Sequence, residues 1–435
     1  MKGQIIMLIQ FRFSNWKSFK NETVLDLRAD NISEFPEHII KVPYLKTLPL
    51  SIIYGANGSG KTNLISAFIY MSSYVLFSLN YDDEDEEKIE NSKEDEFDPP
   101  SPFLFDERYS KKESSFEVFF KLPKDRSYKT YNYGFTIDSK GINREWLNIK
   151  PKSPDSKIIK VIERDKKGIN FLSSNYIDEQ LSNSIKRVIR NRTLFVTLGA
   201  KLNVPILKEV YNFFKQNEFD DFSSSLSSFF ITSRLTKDFC NKASCRKEMV
   251  DFISTFDPSI KSFELEKTND LDETGKKGKH YNLFSIHETK DGKSIRIPFS
   301  EESSGTRKMF SMYPDIKNVL NKGSVLLVDE FNSKLHPLLA RAIILKFLDP
   351  NQNKNHAQLI CTSHEPWLLG SKTLRRDEIW FTQKNIEEAT SSLYSLSDFS
   401  DENGTKIRSD ENFEKNYMLG KYDGVPVLNT FEIKE

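Results

Sequence analysis

Cysteine is scarce in this sequence, which has three in 435 residues. They are Cys240, Cys245 and Cys361, and no two of them form the C-x-x-C pair that typically holds a structural zinc ion. Disulfide bonds are typical of oxidising compartments, so the low cysteine content favours a reducing one. We therefore expect a cytoplasmic protein.

Net charge and long apolar runs are missing as well. Basic and acidic residues both number 63, which predicts no dominant electrostatic surface for nucleic acid, although local patches remain possible. No run approaches the ~18 apolar residues of a membrane helix, and the apolar cluster at residues 1–10 is too short for a signal peptide. Because 29% of the residues are charged and 34 are phenylalanine, we expect a soluble protein of two or three compact units without a membrane partner.

One motif stands out against this background. Residues 55–62 read GANGSGKT and satisfy the phosphate-loop pattern G-x-x-x-x-G-K-[ST]. The mostly apolar residues 50–54 before the motif predict a buried parallel strand, and apolar residues recur after it at helical spacing. Glycines let such a loop curl around a phosphate, which would face the loop amides and the positive N-terminus of the helix.

This context predicts a site for ATP. Lys61 would reach the β- and γ-phosphates, and the hydroxyl of Thr62 would bind Mg²⁺. The residues that we expect to contact the nucleotide here are Gly55, Asn57, Gly58, Ser59, Gly60, Lys61, Thr62 and Asn63.

Catalytic candidates follow at the ends of two later strands. Residues 325–328 predict a buried strand that ends in Asp329 and Glu330. Asp329 would hold Mg²⁺ through water, and Glu330 would act as general base toward the attacking water. His364 ends the next apolar strand, where a neutral imidazole could sense the γ-phosphate as a switch. These features are weak alone and become specific only after a phosphate loop.

A further anion-binding segment is expected at residues 302–306, which read ESSGT before a predicted helix. Hydroxyl groups and a glycine at a helix start can bind an anion, although alone they would only cap the helix. Pro314 predicts a kink or an early end of that helix. The expected nucleotide contacts are Ser303, Ser304, Gly305 and Thr306.

The order of the elements predicts an α/β protein. Strands near residues 5–13 and 22–27 would be edge strands ahead of the phosphate loop. Strand and helix alternate over the last hundred residues, which predicts a mostly parallel sheet covered by helices. We assign the domains as 1–80 (N-terminal part of the ATPase), 81–114 (acidic mobile loop and lid region), 115–173 (antiparallel β subdomain), 174–262 (helical insertion) and 263–435 (C-terminal part of the ATPase).

Three segments allow two interpretations each. Residues 82–98 hold eleven acidic residues and two lysines, which favours a mobile solvated loop over a binding tail. The phenylalanines at 213, 214, 222, 229 and 230 fit a core or partner-facing role better than nucleotide stacking. Basic residues between 186 and 192 could touch phosphates, but a solvated helix face is favoured.

The order of these motifs resembles that of ABC-type ATPases. A Walker A loop at 55–62 is followed by a signature at 303–306, a Walker B pair at 329–330, a D-loop at 333–336 and a switch histidine at 364. The insertion of about 240 residues between Lys61 and Ser303 resembles the layout of SMC, RecF and OLD proteins. Residues 13–19, 335–337, 374–377, 393–399 and 412–422 are similar to the OLD-like ATPases of bacterial phage-defence systems, of the AbiL and RloA type. The match covers residues 5–75 and 285–428.

The resemblance implies an ABC-type P-loop fold with a mixed sheet, an antiparallel β subdomain and an inserted helical subdomain. It implies hydrolysis of ATP to ADP and phosphate with Mg²⁺, in a homodimer with head-to-tail ATP sites that can assemble further. It also implies a sensor or regulatory subunit of an anti-phage, abortive-infection system with a separate effector, a nuclease or an RloB-like protein. OLD proteins carry a Toprim nuclease after the ATPase, and only about 70 residues follow His364 here.

Two segments, the signature and the Q-loop, depart from the ABC pattern. Glu302 and Ser304 replace the leucine and the first glycine of the ABC signature, which begins L-S-G-G. Residues 102–107 stand where a Q-loop is expected, and they contain no glutamine. The lid residue is therefore not assigned.

Two other functions compete with this one. A RecF-like or SMC-like DNA-repair ATPase would act directly on DNA, and the absence of a long heptad coiled coil and of a basic balance counts against it. A scaffold with a degenerate site is the third possibility. The intact set of Lys61, Thr62, Asp329, Glu330 and His364 counts against a scaffold.

Overall fold

The structure is a computed structural model that describes residues 6–82, 98–122, 129–151, 156–221, 235, 237–268, 280–370, 372–400, 404 and 406–425. Nearly all of the acidic run, together with Phe222, Phe229 and Phe230, lies outside these residues. The chain divides into two compact units. The first comprises Met1–Phe219, Val319–Leu327 and Ile344–Glu435, and the second comprises Asp220–Asn318 and Val328–Ile343.

The strands within the described residues are β1 (Met7–Ser14), β2 (Thr23–Asp26), β3 (Ile40–Val42), β4 (Leu45–Thr47), β5 (Leu50–Gly55), β6 (Ser114–Lys121), β7 (Thr130–Asp138), β8 (Gly141–Lys150), β9 (Ile159–Asp165), β10 (Gly168–Leu172), β11 (Glu218–Asp221), β12 (Ile260–Thr268), β13 (His280–Glu288), β14 (Ser294–Pro298), β15 (Val325–Asp329), β16 (Gln358–Thr362), β17 (Ile379–Lys384) and β18 (Ser391–Ser395).

The helices are α1 (Lys61–Phe77), α2 (Glu107–Ser110), α3 (Glu179–Val188), α4 (Phe195–Lys201), α5 (Pro205–Lys215), α6 (Lys237–Asn241), α7 (Ala243–Ile253), α8 (Ser304–Lys322), α9 (Pro337–Leu348), α10 (Trp367–Gly370) and α11 (Phe413–Met418). The range 174–262, which we expected to form one helical insertion, contributes α3 to α5 to the first unit and α6 and α7 to the second.

A seven-stranded sheet has the order β10-β9-β8-β7-β6-β1-β2, and every pairing in it is antiparallel. Its strands β6 to β10 have the antiparallel pairing predicted from alternating residues such as Phe116, Val118 and Phe120, which are all buried. The prediction that β1 is an edge strand is wrong. Because β6 pairs with one side of β1 and β2 with the other, β1 lies inside the sheet.

A six-stranded sheet has the order β11-β15-β16-β5-β17-β18. Its strand β5 is fully buried and pairs in parallel with both β16 and β17, whereas β18 runs antiparallel to β17. Continuous burial is what an apolar run between two parallel neighbours predicts. The mixed sheet and its helices confirm the predicted P-loop ATPase fold class.

Some local features differ from the predictions or were absent from them. Helix α10 ends at Gly370 rather than near residue 374, and β18 and α11 were not predicted from the sequence. Helix α8 continues through Pro314 to Lys322, so the proline does not end it. A proline lacks the N–H group that would pair one turn back, and the surrounding helix tolerates this loss.

Phenylalanines of the helical range support the core of the first unit. Phe213 and Phe214 on α5 are fully buried, and the ring of Phe213 stacks on Phe120 of β6 with centroids 4.1 Å apart. These two residues therefore have the core role that the sequence allowed. The second unit has its own core around Phe263 and Phe310, whose rings meet edge to face at 5.2 Å.

Among the described residues, one segment has the length and composition of a membrane span. It is Lys61–Tyr81, of which 56% of the most apolar window is buried within the protein. A core helix of a globular protein passes the same test, and α1 packs its buried residues in the core of the first unit.

Gln358 connects the two large sheets. Its side chain is fully buried at the start of β16, and its Oε1 accepts from the amide of Leu8 in β1 at 2.7 Å. Its Nε2 donates to the carbonyl oxygens of Leu8 and Leu48, each at 3.0 Å. One amide group thus satisfies three backbone groups that the sheet pairings leave open.

Replacing this amide tests its role. Gln358→Met keeps the volume but leaves three buried backbone groups unpaired, so we expect the free energy of unfolding to fall by about 3 kcal/mol or more. Urea denaturation followed by circular dichroism measures the change. The matched control is Gln352→Met, an exposed glutamine, which should change stability by less than about 0.5 kcal/mol. Equal losses in the two variants would contradict this role.

Candidate nucleotide-binding site

The phosphate loop connects β5 to α1, and glycine is required where other elements approach it. A Cβ atom on Gly55 would lie 2.4 Å from the hydroxyl oxygen of Thr382 and 2.6 Å from that of Ser59. Gly60, at φ 117°, would place a Cβ 2.7 Å from the hydroxyl oxygen of Ser391. Such distances leave no room for a side chain, so the backbone itself forms the surface of the loop.

Lys61 lies at the first position of α1 and is buried. Its Nζ donates to the carbonyl oxygens of Gly55 at 2.7 Å and of Ala56 at 2.9 Å, so the ammonium group lies across the mouth of the loop. No side chain caps the N-terminus of this 17-residue helix, and the next residue, Thr62, is exposed. A buried cation, a helix start without a side-chain cap and an exposed hydroxyl fit a polyphosphate with its metal ion.

Thr382 on β17 contacts the phosphate loop through its hydroxyl group. Its hydroxyl oxygen lies 2.6 Å from that of Ser59 and also donates to the carbonyl oxygen of Tyr54 at 3.3 Å. This residue is missing from the sequence-based set because nothing near it resembles a motif. Only the parallel pairing of β17 with β5, which aligns Thr382 with Gly55, brings it to the loop.

Asn63, a predicted nucleotide contact, also contacts protein groups. Its Nδ2 donates to the hydroxyl of Ser18 at 2.8 Å, and its carbonyl oxygen accepts from the indole N–H of Trp16 at 3.0 Å. Ser18 also accepts from the hydroxyl of Ser391 at 2.8 Å. The turn between β1 and β2 is thereby fixed to the first turn of α1. The remaining loop residues, Asn57 and Gly58, are exposed.

His364 lies at the same sheet edge as the loop. It follows β16 by two residues and is exposed, and β16 pairs in parallel with β5. The carboxyl ends of parallel strands lie at one edge of a sheet, which is where ligands of open α/β sheets bind. The structure therefore brings the predicted switch histidine and the phosphate loop to one edge.

The segment 302–306 forms the start of α8 in the second unit. Ser303 accepts a hydrogen bond from the amide of Thr306 at 3.0 Å, as an N-cap residue does. Gly305 approaches the carbonyl of Lys334, to which an added Cβ would come within 3.2 Å. Both Ser303 and Ser304 are exposed. The predicted segment is thus a capped helix start packed on the loop after β15.

Side chains of β13 fix Glu302. Its Oε1 accepts from the hydroxyl of Ser285 and lies 2.6 Å from Nε2 of His287. Both partners are on β13, and Glu302 itself is largely buried. The carboxylate therefore fixes residues 302–306, the predicted signature, to the antiparallel sheet of the second unit.

The loop after β15 is held by Lys308 of α8. Lys308 is buried, and its Nζ donates to the carbonyl oxygens of Glu330 at 3.1 Å, Phe331 at 2.9 Å and Ser333 at 2.7 Å. Glu330 has a left-handed backbone with φ 49°, and Asp329 before it is buried. Burial lowers the pKa of Lys308 to about 7. No motif identified this lysine, although it stands two residues after the predicted signature.

Metal-binding side chains do not cluster in the described part of the chain. Within the ranges given above, no group of three or more His, Cys, Asp and Glu side chains has the geometry to hold a metal ion.

A pH series tests the burial of Lys308. Between pH about 7 and its ordinary pKa near 10.5, the unfolded chain binds a proton on this lysine that the folded protein lacks. The free energy of unfolding should therefore gain a contribution that rises with pH in this window, and Lys308→Met should remove it. Urea denaturation at several pH values measures the difference. Lys322→Met, at an exposed lysine of the same helix, should follow the wild type, and parallel curves for wild type and Lys308→Met would refute the assignment.

Two comparisons with known proteins give a match. The chain is similar to "Retron Vc95 probable ATPase" of Vibrio cholerae serotype O1 biovar El Tor, with 26% identity over 135 residues, which are 31% of this chain and 25% of that protein. The aligned part thus spans about a quarter of the length of the curated relative. Residues 50–370, which include the phosphate loop and Asp329, match the family described as "AAA domain, putative AbiEii toxin, Type IV TA system". The chain belongs to this AAA domain family.

Proposed function

We propose that this chain binds ATP at residues 55–62 and hydrolyses it to ADP and phosphate. The observation that carries the proposal is the fit of the loop to a polyphosphate. Gly55 and Gly60 lie where a Cβ atom would collide with neighbouring side chains. The buried Lys61 is the first residue of the 17-residue helix α1, whose N-terminus has no side-chain cap. The positive end of the dipole at such a helix start stabilises an anion.

Five of the predicted site residues have a chemical role in this proposal. Lys61 would offset charge on the β- and γ-phosphates, and the hydroxyl of Thr62 and the carboxylate of Asp329 would hold Mg²⁺, the latter through water. Bound Mg²⁺ would neutralise charge that develops on the phosphates. Glu330 would accept the proton of the attacking water, and His364 would donate a hydrogen bond toward the γ-phosphate.

We propose a homodimer in which the start of α8 of one copy completes the ATP site of the other. The chain has one phosphate loop and one segment of the signature type, so two copies are needed to supply two composite sites. The exposed hydroxyls of Ser303 and Ser304 and the amides of the helix start are suitable donors for an anion. A two-fold axis would make both sites equivalent, and such dimers can assemble further.

We further propose that the ATPase is the sensor or regulatory subunit of a bacterial anti-phage, abortive-infection system in the cytoplasm, with a separate effector such as a nuclease. Two findings support this proposal. The family description names a type IV toxin–antitoxin system, and the similar protein is named as a probable ATPase of a retron. Purifying the chain with the products of neighbouring genes tests this. A stable complex whose effector activity responds to ATP is expected, and a chain that never binds a neighbour's product would contradict it.

Two substitutions separate binding from hydrolysis. Lys61→Ala should lower ATP affinity by orders of magnitude, because it removes the main charge that faces the phosphates. Glu330→Gln should retain ATP but reduce turnover at least about 100-fold, because the water loses its base. Calorimetric titration and phosphate release measure the two effects. Equal ATP affinity of the wild type and Lys61→Ala would refute the site.

Mixing two inactive variants tests the shared site. Lys61→Ala and Ser303→Arg should each lack activity alone. In a mixed dimer one composite site carries both substitutions and the other carries neither, so some hydrolysis should return. Normal hydrolysis by Ser303→Arg alone would refute the role of the signature. Heterodimers that form without any recovery would show that the sites are not shared or do not act independently.

A further inference from the structure

A basic cavity lies against the solvent face of the seven-stranded sheet, away from the phosphate loop. Its volume is about 340 Å³, and its lining includes Arg12, Arg28, Lys121, Lys150, Tyr44 and Phe119. Four of the lining residues are cationic, and none is Asp or Glu. In a chain whose basic and acidic residues balance at 63 each, this is a strong local excess of positive charge.

The strand register places two of these lysines on one face of the sheet. Lys121 of β6 pairs with Thr130 of β7, and Thr130 pairs with Lys150 of β8, so the lysines are two strands, or about 10 Å, apart. Arg12 of β1 lies opposite Glu117, four residues along β6 from Lys121. Its guanidinium lies 5.1 Å from the ring centroid of Phe119, so Arg12 contributes a positive charge outside the row of the two lysines.

Not every charge in this cavity is equally available. The guanidinium of Arg28 binds the carboxylate of Asp26 through two nitrogens, so part of its charge is already offset. Lys150 is exposed, whereas Lys121 is 8% exposed and donates weakly to the carbonyl oxygen of Pro43 at 3.5 Å. Burial lowers the pKa of Lys121. An anion placed beside this lysine would compensate the solvation that burial removes.

An aromatic residue stands at the open side of the cavity. Tyr44 occupies the turn between β3 and β4 and is 67% exposed, with a left-handed backbone of φ 62°. Phe119 is half-buried on the floor, where it contacts Arg12. Cations that follow a phosphate backbone, combined with aromatic rings on which bases stack, are the two elements of single-strand binding sites.

We propose that this cavity binds single-stranded nucleic acid, with phosphates on Arg12, Lys121 and Lys150 and a base stacked on Tyr44. An exposed sheet face with aromatic and basic side chains suits unpaired bases, whose faces are accessible. The cavity holds one or two nucleotides and is far too small for a duplex. The site is separate from the phosphate loop, so the inference does not depend on ATP hydrolysis.

Fluorescence anisotropy with a labelled 12-nucleotide single strand, as DNA and as RNA, tests the proposal. The wild-type chain should bind, and the logarithm of its affinity should fall with the logarithm of salt concentration with a slope of about −2, or −0.7 for each of three phosphates. Arg12→Gln and Lys150→Gln should each weaken binding about tenfold and reduce this slope. Tyr44→Ala should weaken binding by a factor between about five and 150 without changing the slope.

Matched variants define the site. Lys208→Gln removes an exposed lysine of α5 outside the cavity and should leave binding unchanged. Lys61→Ala should also retain binding, whereas loss of binding in this variant alone would assign the oligonucleotide to the phosphate loop and overturn the proposal. A duplex of the same sequence that binds as tightly as the single strand would overturn it as well. Binding of inorganic polyphosphate but of no oligonucleotide would show an anion site and refute the nucleic-acid class.

Discussion

The structure depends on the position of β5 between two parallel neighbours. Hydrogen bonds to β16 and β17 occupy both of its edges, and every residue of the strand is buried. This pairing brings Thr382 against Gly55, and it places His364 at the edge where the phosphate loop begins. The loop therefore has a rigid base formed by strands from distant parts of the chain, and the amide of Gln358 connects that base to β1 of the other large sheet.

The dependence on tertiary pairing also limits which parts of the structure could be predicted from the sequence alone. The phosphate loop, β5, β15, β16 and β17 were predictable because each has a local pattern, a motif or a short apolar run, that occurs only in a few structural contexts. Supporting contacts were not predictable. Ser59 meets Thr382 across 323 positions of the chain, and a serine and a threonine have no pattern that indicates this pairing. The edge assignment of β1 failed for the same reason, since strand order is a property of tertiary contacts.

The loop after β15 shows how a strained backbone is maintained. Glu330 and Lys334 both have left-handed backbones, a conformation that residues other than glycine usually avoid. Lys308 offsets this strain with hydrogen bonds to three carbonyl oxygens of the same loop. Helix α8 begins within the capped segment 302–306, the predicted signature. Because Lys308 lies on this helix, a rotation of the helix would be transmitted to the backbone of Glu330. The contacts of Glu302 with β13 limit such a rotation at the other side.

The long separation between β5 and its partners has a consequence for synthesis. About 300 residues must be translated after β5 before β16 emerges, which takes roughly 15 to 60 seconds at about 5 to 20 residues per second. During this time an apolar strand with two unpaired edges is exposed on the ribosome, and such edges pair readily with other chains. We therefore expect chaperones to bind the nascent protein. The yield of folded protein should depend on the speed of translation as well as on the stability of the finished protein.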